Sequence, residues 1–329
     1  MATSTPEQLE ASFTATEAGG SKLPGAVRRR LMPDASIDVF TEVRFPSREW
    51  ALLIRSSDDT EDRDLILASG LVCRIRGGSV EIVAGPDTDR FLFCTLLADL
   101  VRQLHIHTAN PTLALVRRLN AWRKMLDRGL STGLTPEARM GLFGELLTLR
   151  EILLPAIGAA AIPAWEGPAG APRDFSHFST AVEVKTVGRR GANQCQISSE
   201  SQLETSNSTD LFLIHQVMTV APSGVSLIDM VEELRADPRV QPERSRFENC
   251  LLEAGWLDSH STQYANHRYA LSRRQCFHIV DGFPRLTSLA LPSGVSRVSY
   301  NIDLSVCDAY RVNEETVRSS ISLAGTGKE

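Results

Sequence analysis

Lysine is almost missing from this chain: only Lys22, Lys124, Lys185 and Lys328 occur among its 35 basic residues. Arginine carries nearly all the positive charge, so a lysine inside an apolar stretch calls for a reason. Aromatic residues are scarce at 6%. The six cysteines (Cys73, Cys94, Cys195, Cys250, Cys276 and Cys307) never form a C-x-x-C pair, which excludes a zinc ribbon or a thioredoxin-like motif. They read as small buried hydrophobes. No apolar run approaches the roughly 18 residues of a membrane span, and no basic N-terminal region leads into an apolar one. The expectation is a cytoplasmic protein with no membrane association. The chain also lacks a G-x-S-x-G elbow and a G-x-x-x-x-G-K-[ST] loop, so it carries neither that type of serine hydrolase nor an ATPase of its own.

What is present fits an ordinary globular protein of two domains: 329 residues, 42% hydrophobic and 23% charged. The net charge of −5 argues against coating nucleic acid by bulk charge. Its distribution is uneven. Ser47 to Asp64 holds three arginines against six acids, whereas Ser261 to Tyr300 holds five arginines against Asp281 alone. The C-terminal part is the better polyanion surface, or else a strand with a solvated arginine face.

Patterning divides the chain into a disordered tail (1–25), a small β-rich N-terminal domain ending in a helix (26–108), and a larger domain (109–329). Amphipathic helices are expected over Asp89–His105 and Pro111–Arg128. Thr135-Pro136-Glu137 is a helix start, and the helix runs to about Leu154 with Leu142, Leu146, Leu149 and Leu153 as its apolar stripe. Strand-like segments follow in RDFSHF, TAVEVKTV, NQCQIS and LFLIHQVMTV. Helices come next at Leu227–Arg235 and Arg244–Ala254, then strands at Arg268–Val280 and Arg297–Leu304. The order is that of an α/β (α+β) fold with a mixed sheet flanked by helices.

Chemistry concentrates in Asp174 to Lys185. On a strand, Glu183 and Lys185 share one face, with Val182, Val184 and Thr186 on the other. Asp174 falls on the preceding strand of a hairpin, within reach of Glu183. Two converging carboxylates and one lysine suit magnesium-dependent phosphodiester cleavage, because hard oxygen ligands hold Mg²⁺ and leave water positions open. The lysine would position or deprotonate the attacking water, or neutralise phosphoryl charge. Glu145, at the edge of the helix stripe, is a third carboxylate able to face the same site, and Glu151 lies on the exposed flank. The alternative is a cross-strand ion pair on a solvated sheet.

These residues resemble a known family. GLFGELLTL at 141–149, the AW-x-GP turn at Ala164–Pro168, RDF at 173–175, VEVKT at 182–186 and QISSESQLE at 196–204 are similar to the bacterial PD-(D/E)XK motif proteins of the restriction-endonuclease-like superfamily. The similarity is sharp over residues 135–215. It implies a restriction-endonuclease-like nuclease core in the 109–329 domain and divalent-metal-dependent DNA cleavage, with Mg²⁺ as cofactor and Mn²⁺ as a substitute. By position, Asp174 and Glu183 would be metal ligands, Lys185 the catalytic lysine and Glu145 the auxiliary acid and a further candidate metal ligand. One departure is visible: Arg173 precedes Asp174, and the motif proline stands one residue earlier as Pro172. The resemblance further implies a role in restriction or anti-phage defence on DNA, with a DNA methyltransferase and a helicase-like ATPase as operon partners; a homodimer is expected because cutting both strands with one site per chain is easiest with two chains. A catalytically silent DNA-binding or scaffolding subunit and a structure-specific or RNA nuclease are the rival readings.

Candidate nucleic-acid contacts surround this core. Ser198, Ser199 and Gln202 would bind phosphate oxygens or base edges, or cap a short helix. Gln196 is a candidate to point inward beside Lys185. Arg189 and Arg190 would meet the DNA backbone or form a charged turn. Tyr264, His267, Tyr269, Arg273, Arg274, Phe277 and His278 form a basic, aromatic stretch of the kind that binds DNA.

Overall fold

The computed structural model describes residues 5–20, 23–31, 37–55, 61–106, 111–129, 133–205 and 210–324. It divides into two compact units, residues 1–132 and 133–329.

The first unit does not open with a loose tail. Within 1–25, helix α1 (Pro6–Ala18) is set by a capping box in which Thr5 and Gln8 exchange hydrogen bonds, with Pro6 at the first helical position. It buries Leu9, Phe13 and Thr16, and Phe13 stacks on Trp50 at 4.6 Å between ring centroids. Small, polar residues hid this helix, because its apolar positions are too few to make a strong stripe. Six strands follow in one antiparallel sheet: β1 (Gly25–Arg30), β2 (Asp38–Phe45), β3 (Glu49–Arg55), β4 (Arg63–Ala68), β5 (Leu71–Arg76) and β6 (Ser79–Ala84), in the order β1-β2-β3-β6-β5-β4. Helices α2 (Arg90–Ile106) and α3 (Pro111–Asp127) complete the unit. They are joined by a buried network: Asp99 accepts from Arg118 Nε at 2.6 Å and from Trp122 Nε1 at 2.7 Å. The boundary at 132 therefore keeps α3 with the β-rich unit, whereas the sequence suggested a division at 108.

The second unit begins with α4 (Pro136–Thr148), whose first turn is capped by Thr135 Oγ1 accepting from Ala138 N at 3.2 Å. The helical path outruns its expected end at Leu154. A π-helical turn at Leu149–Leu153 lets the Leu154 N–H reach back to the Leu149 carbonyl, so Pro155 is accommodated at the start of α5 (Leu154–Ile157). After a 3₁₀ turn, α6 (Ala161–Ala164) ends the path. By length and composition Pro136–Ala164 could cross a bilayer, yet half of its most apolar stretch is buried inside the protein. It is the core helix of this unit.

The remaining elements are β7 (Phe175–His177), β8 (Thr180–Gly188), β9 (Gln194–Ile197), β10 (Asp210–Ser226), α7 (Leu227–Ala236), α8 (Arg244–Glu253), β11 (Arg268–His278), β12 (Tyr300–Asp303), β13 (Arg311–Val312) and α9 (Glu314–Ala324). The main sheet has the order β13-β11-β10-β8-β7 and is mixed: β8 and β10 run parallel, and the other pairs are antiparallel. Val182, Val184, Phe212 and Ile214 pack on one face with the leucines of α4. Ala181, Leu211, Leu213 and Phe277 pack on the other, with Cys195, Ile197 and Ile302 of β9 and β12. Those two strands form a separate antiparallel pair laid over this second face rather than extending the main sheet. Gly144 lets α4 close on β8, since a Cβ there would collide with the Thr186 side chain. Gln216 Nε2 ties the contact by donating to the Gly144 carbonyl (3.0 Å) and Thr148 Oγ1 (2.9 Å).

Candidate active site

Alternation along β8 delivers the two charges to one face. Glu183 is 1% exposed, and its Oε1 accepts from Lys185 Nζ at 2.8 Å. Asp174 precedes Phe175, which pairs with Val182, so it stands opposite Glu183 across the hairpin. Its backbone is clasped by the AW-x-GP turn: Glu166 N and Gly167 N donate to the Asp174 carbonyl at 2.8 and 3.0 Å. Its carboxylate accepts the Val184 N–H at 2.7 Å. From α4, Glu145 Oε2 accepts from Trp165 Nε1 at 2.8 Å. A Cβ on Gly167 would lie 2.7 Å from Asp174 Oδ1 and 3.4 Å from Glu145 Oε2, so both carboxylates flank that glycine and a side chain there would intrude between them. The structure thus brings Glu145, Asp174, Glu183 and Lys185 together. Glu151 instead pairs with Arg150 and Arg274.

Three carboxyls, Glu183 buried and Asp174 and Glu145 half-buried, share one ammonium, and their proton affinities show the crowding. Burial, then the Asp174 charge, pushes Glu183 up to about 8 against the pull of Lys185. Burial pushes Asp174 up to about 6 against the Val184 N–H and Lys185. Burial and the Asp174 charge carry Glu145 well above the usual carboxylate range, opposed by the Trp165 N–H. For Lys185, burial works downward, but Glu183 and Asp174 lift it above its ordinary value. The lysine is therefore a held ammonium, suited to neutralising charge rather than to taking a proton.

Glu183 Oε2 is buried without a hydrogen-bond partner among the described residues. A divalent cation beside Glu183 and Asp174 would satisfy that oxygen and draw off the retained protons, so these residues fit such an ion. Among the described residues no group of three or more His, Cys, Asp and Glu side chains is arranged to hold a metal. Magnesium uses one or two carboxylates with water and substrate oxygens completing the shell, and Asp174 with Glu183 offers that pair.

The outer candidates divide. Gln202 belongs to the site: its Oε1 accepts from Lys185 Nζ at 3.0 Å and from Ser198 N at 2.8 Å. Ser199 Oγ bonds Ser201 Oγ at 2.7 Å and does not cap the following 3₁₀ turn, and the Ser198 side chain is exposed. Gln196 is exposed and does not point inward; strand alternation turns Cys195 and Ile197 in, and Cys195 is the residue near Lys185. Arg189 and Arg190 lie exposed in the turn ending β8. Arg273 is exposed but holds the β8–β9 connection through the Ala192 carbonyl and Asn193 Oδ1. Arg274 is no free DNA contact: its side chain is 4% exposed and paired with Glu151 (2.7 Å) and Glu314 (3.2 Å). Its neighbours are largely core. Tyr264, Tyr269 and Phe277 are buried, with the Tyr264 hydroxyl accepting from Leu134 N at 2.8 Å and the Tyr269 hydroxyl from Arg139 Nε at 3.1 Å.

Sequence reasoning passed over two supports of the site. Trp165 and Gly167 stood inside the AW-x-GP turn, but nothing local says that one bonds Glu145 and the other makes room for Asp174. A search of curated proteins and of solved structures gives no match. A family model described as "Putative PD-(D/E)XK family member, (DUF4420)" matches residues 7–305, a span that includes Glu145, Asp174, Glu183 and Lys185. With nine-tenths of its length matched, this chain belongs to the DUF4420 family of PD-(D/E)XK proteins.

Proposed function

We infer that the protein is a divalent-metal-dependent endonuclease that hydrolyses phosphodiester bonds in DNA. PD-(D/E)XK proteins are generally nucleases. The observation that carries the reading here is Glu183 Oε2, without a hydrogen-bond partner among the described residues and buried beside Asp174 and Lys185 with more carboxyls than one ammonium can balance. Asp174 and Glu183 would hold the ion, with Glu145 behind them. When bound, magnesium supplies Lewis acidity to the scissile phosphate and lowers the pKa of the attacking water.

The chain's own residues do the rest. Val184 N–H and the clasped Asp174 carbonyl fix one carboxylate, and burial fixes the other. Lys185, oriented by Gln202, directs its ammonium at the negative charge that grows on the phosphoryl oxygens. Arg189 and Arg190, exposed where the active strand ends, would meet the DNA backbone. Restriction or anti-phage defence in the cytoplasm, a homodimer, and methyltransferase and helicase-like partners complete the proposal.

Purified protein incubated with supercoiled plasmid and phage DNA plus Mg²⁺ or Mn²⁺ tests it. Wild type should cut, and Lys185→Ala should lose on the order of 10²–10³-fold in rate, the size expected for one electrostatic stabiliser. Equal cutting by both would overturn the assignment of Lys185. No cutting, even with the methyltransferase and ATPase added, would favour a silent DNA-binding fold.

A further inference from the structure

Beside Lys185 lies a row of polar groups that the cleavage chemistry leaves unused. His215 on β10 is in register with Lys185 on β8, and Gln275 on β11 is opposite His215. Register partners on strands about 4.8 Å apart project to the same face. Lys185, His215 and Gln275 therefore stand side by side on the face that carries Leu213 and Phe277. The β8–β9 connection closes over this row, held by Arg273 through the Ala192 carbonyl and Asn193 Oδ1, and His215 is fully buried.

Neither ring nitrogen of His215 has a hydrogen-bond partner among the described residues, and neither does Gln275 Oε1. The Gln194 main chain comes near enough to favour a protonated ring without reaching hydrogen-bond geometry. Buried polar groups left unpaired are costly, so these atoms call for partners or an ordered water. Their chemistry is complementary. A neutral imidazole has one N–H and one lone pair, and Gln275 Oε1 is an acceptor. Lys185 has three N–H groups, of which two find acceptors in Glu183 and Gln202.

We propose that His215 is a positioning residue for Lys185, its lone-pair nitrogen accepting the third ammonium N–H through one ordered water while its own N–H is linked to Gln275 Oε1 in the same way. Burial, and after it the Arg273 charge, pushes the imidazole down to about 4, so the ring stays neutral and accepts from the ammonium instead of repelling it. The arrangement leaves Lys185 two anchors, Gln202 and His215, when Glu183 is engaged elsewhere. This role in catalysis rests on the nuclease reading; the hydrogen-bonded row does not.

Nitrogen-15 NMR of the full-length protein labelled at histidine tests the row, with the His215 signals assigned by their loss in His215→Gln. At pH 7 one nitrogen should be protonated and one bare, and Lys185→Met should move the bare one. A doubly protonated ring, or a bare nitrogen unmoved by Lys185→Met, overturns the proposal whether or not DNA is cut. In cleavage assays His215→Leu should lower kcat about 10- to 100-fold with KM within about twofold, and His215→Gln, which restores an acceptor, should recover part of the loss. A loss confined to KM, or no recovery in a folded Gln variant, also overturns it. If wild type never cuts, the nuclease reading fails and the NMR result still decides the row.

Discussion

At the scale of single residues, Glu183 concentrates the physics of the site. Its ordinary value near 4.5 is pushed to about 8, so its carboxyl prefers to stay protonated in the folded chain. An acid with a raised folded pKa contributes stability at low pH that is lost as the pH rises, here from above 4.5 until about 8 is passed. Glu183→Gln removes that titration. In a series of melting curves on metal-free protein, the variant should therefore gain on wild type between pH 5 and pH 9, by at least about 2–4 °C, the shift that about 1 kcal/mol gives a unit of this size. Added Mg²⁺ should reverse the trend, stabilising wild type more at pH 8.5 than at pH 6 because the ligands must shed protons, and leaving Glu183→Gln unmoved. A magnesium shift that shrinks with rising pH would contradict the assigned ligands.

At the scale of elements, the site depends on how closely α4 rides on β8. The closeness comes from Gly144 meeting Thr186, while Gln216 ties the Gly144 carbonyl to the sheet. Gly144→Ala should cost about 1–3 kcal/mol through overpacking, read as a lower denaturation midpoint, and Thr186→Ala added to it should return part of that stability. No recovery would mean that the strain lies elsewhere. The helix start at Thr135-Pro136, the β8 alternation and the α7 and α8 ranges were legible from caps and periodicity. The continuation past Pro155 was not, because a π-helical turn leaves no composition signal. Nor was the partition of strands: β9 and β12 pair across more than 100 residues of chain, and alternation within each says nothing about the partner.

At the scale of the whole molecule, every residue of the candidate site lies in the second unit, which holds its own core of α4, α7, α8 and the mixed sheet. A fragment spanning 133–329 should unfold cooperatively and keep the magnesium-dependent rise in melting temperature. A fragment that stays unfolded, or folds without that response, would make the first unit a part of the site's stability. The first unit contributes a six-stranded sheet and a buried Asp99–Arg118–Trp122 network that holds α2 and α3 together.

The sequence by itself determined the chemistry on offer: an acid and a rare lysine two residues apart on a strand, an aspartate one hairpin away, and a helical glutamate, all recognisable because period-two alternation and helix capping act over short range. It also determined the mixed α/β class, through the order of its elements. Only the tertiary structure decided what each charge would meet. Arg274 and Arg189 look alike along the chain, yet one is sealed against Glu151 and Glu314 and the other is open to solvent. Tyr264 and Tyr269 read as a binding surface and became core. His215 gave no signal until strand register set it beside Lys185. Burial and pairing are sums over distant segments, and the same side chain becomes ligand contact, ion-pair partner or core according to which segments fold over it.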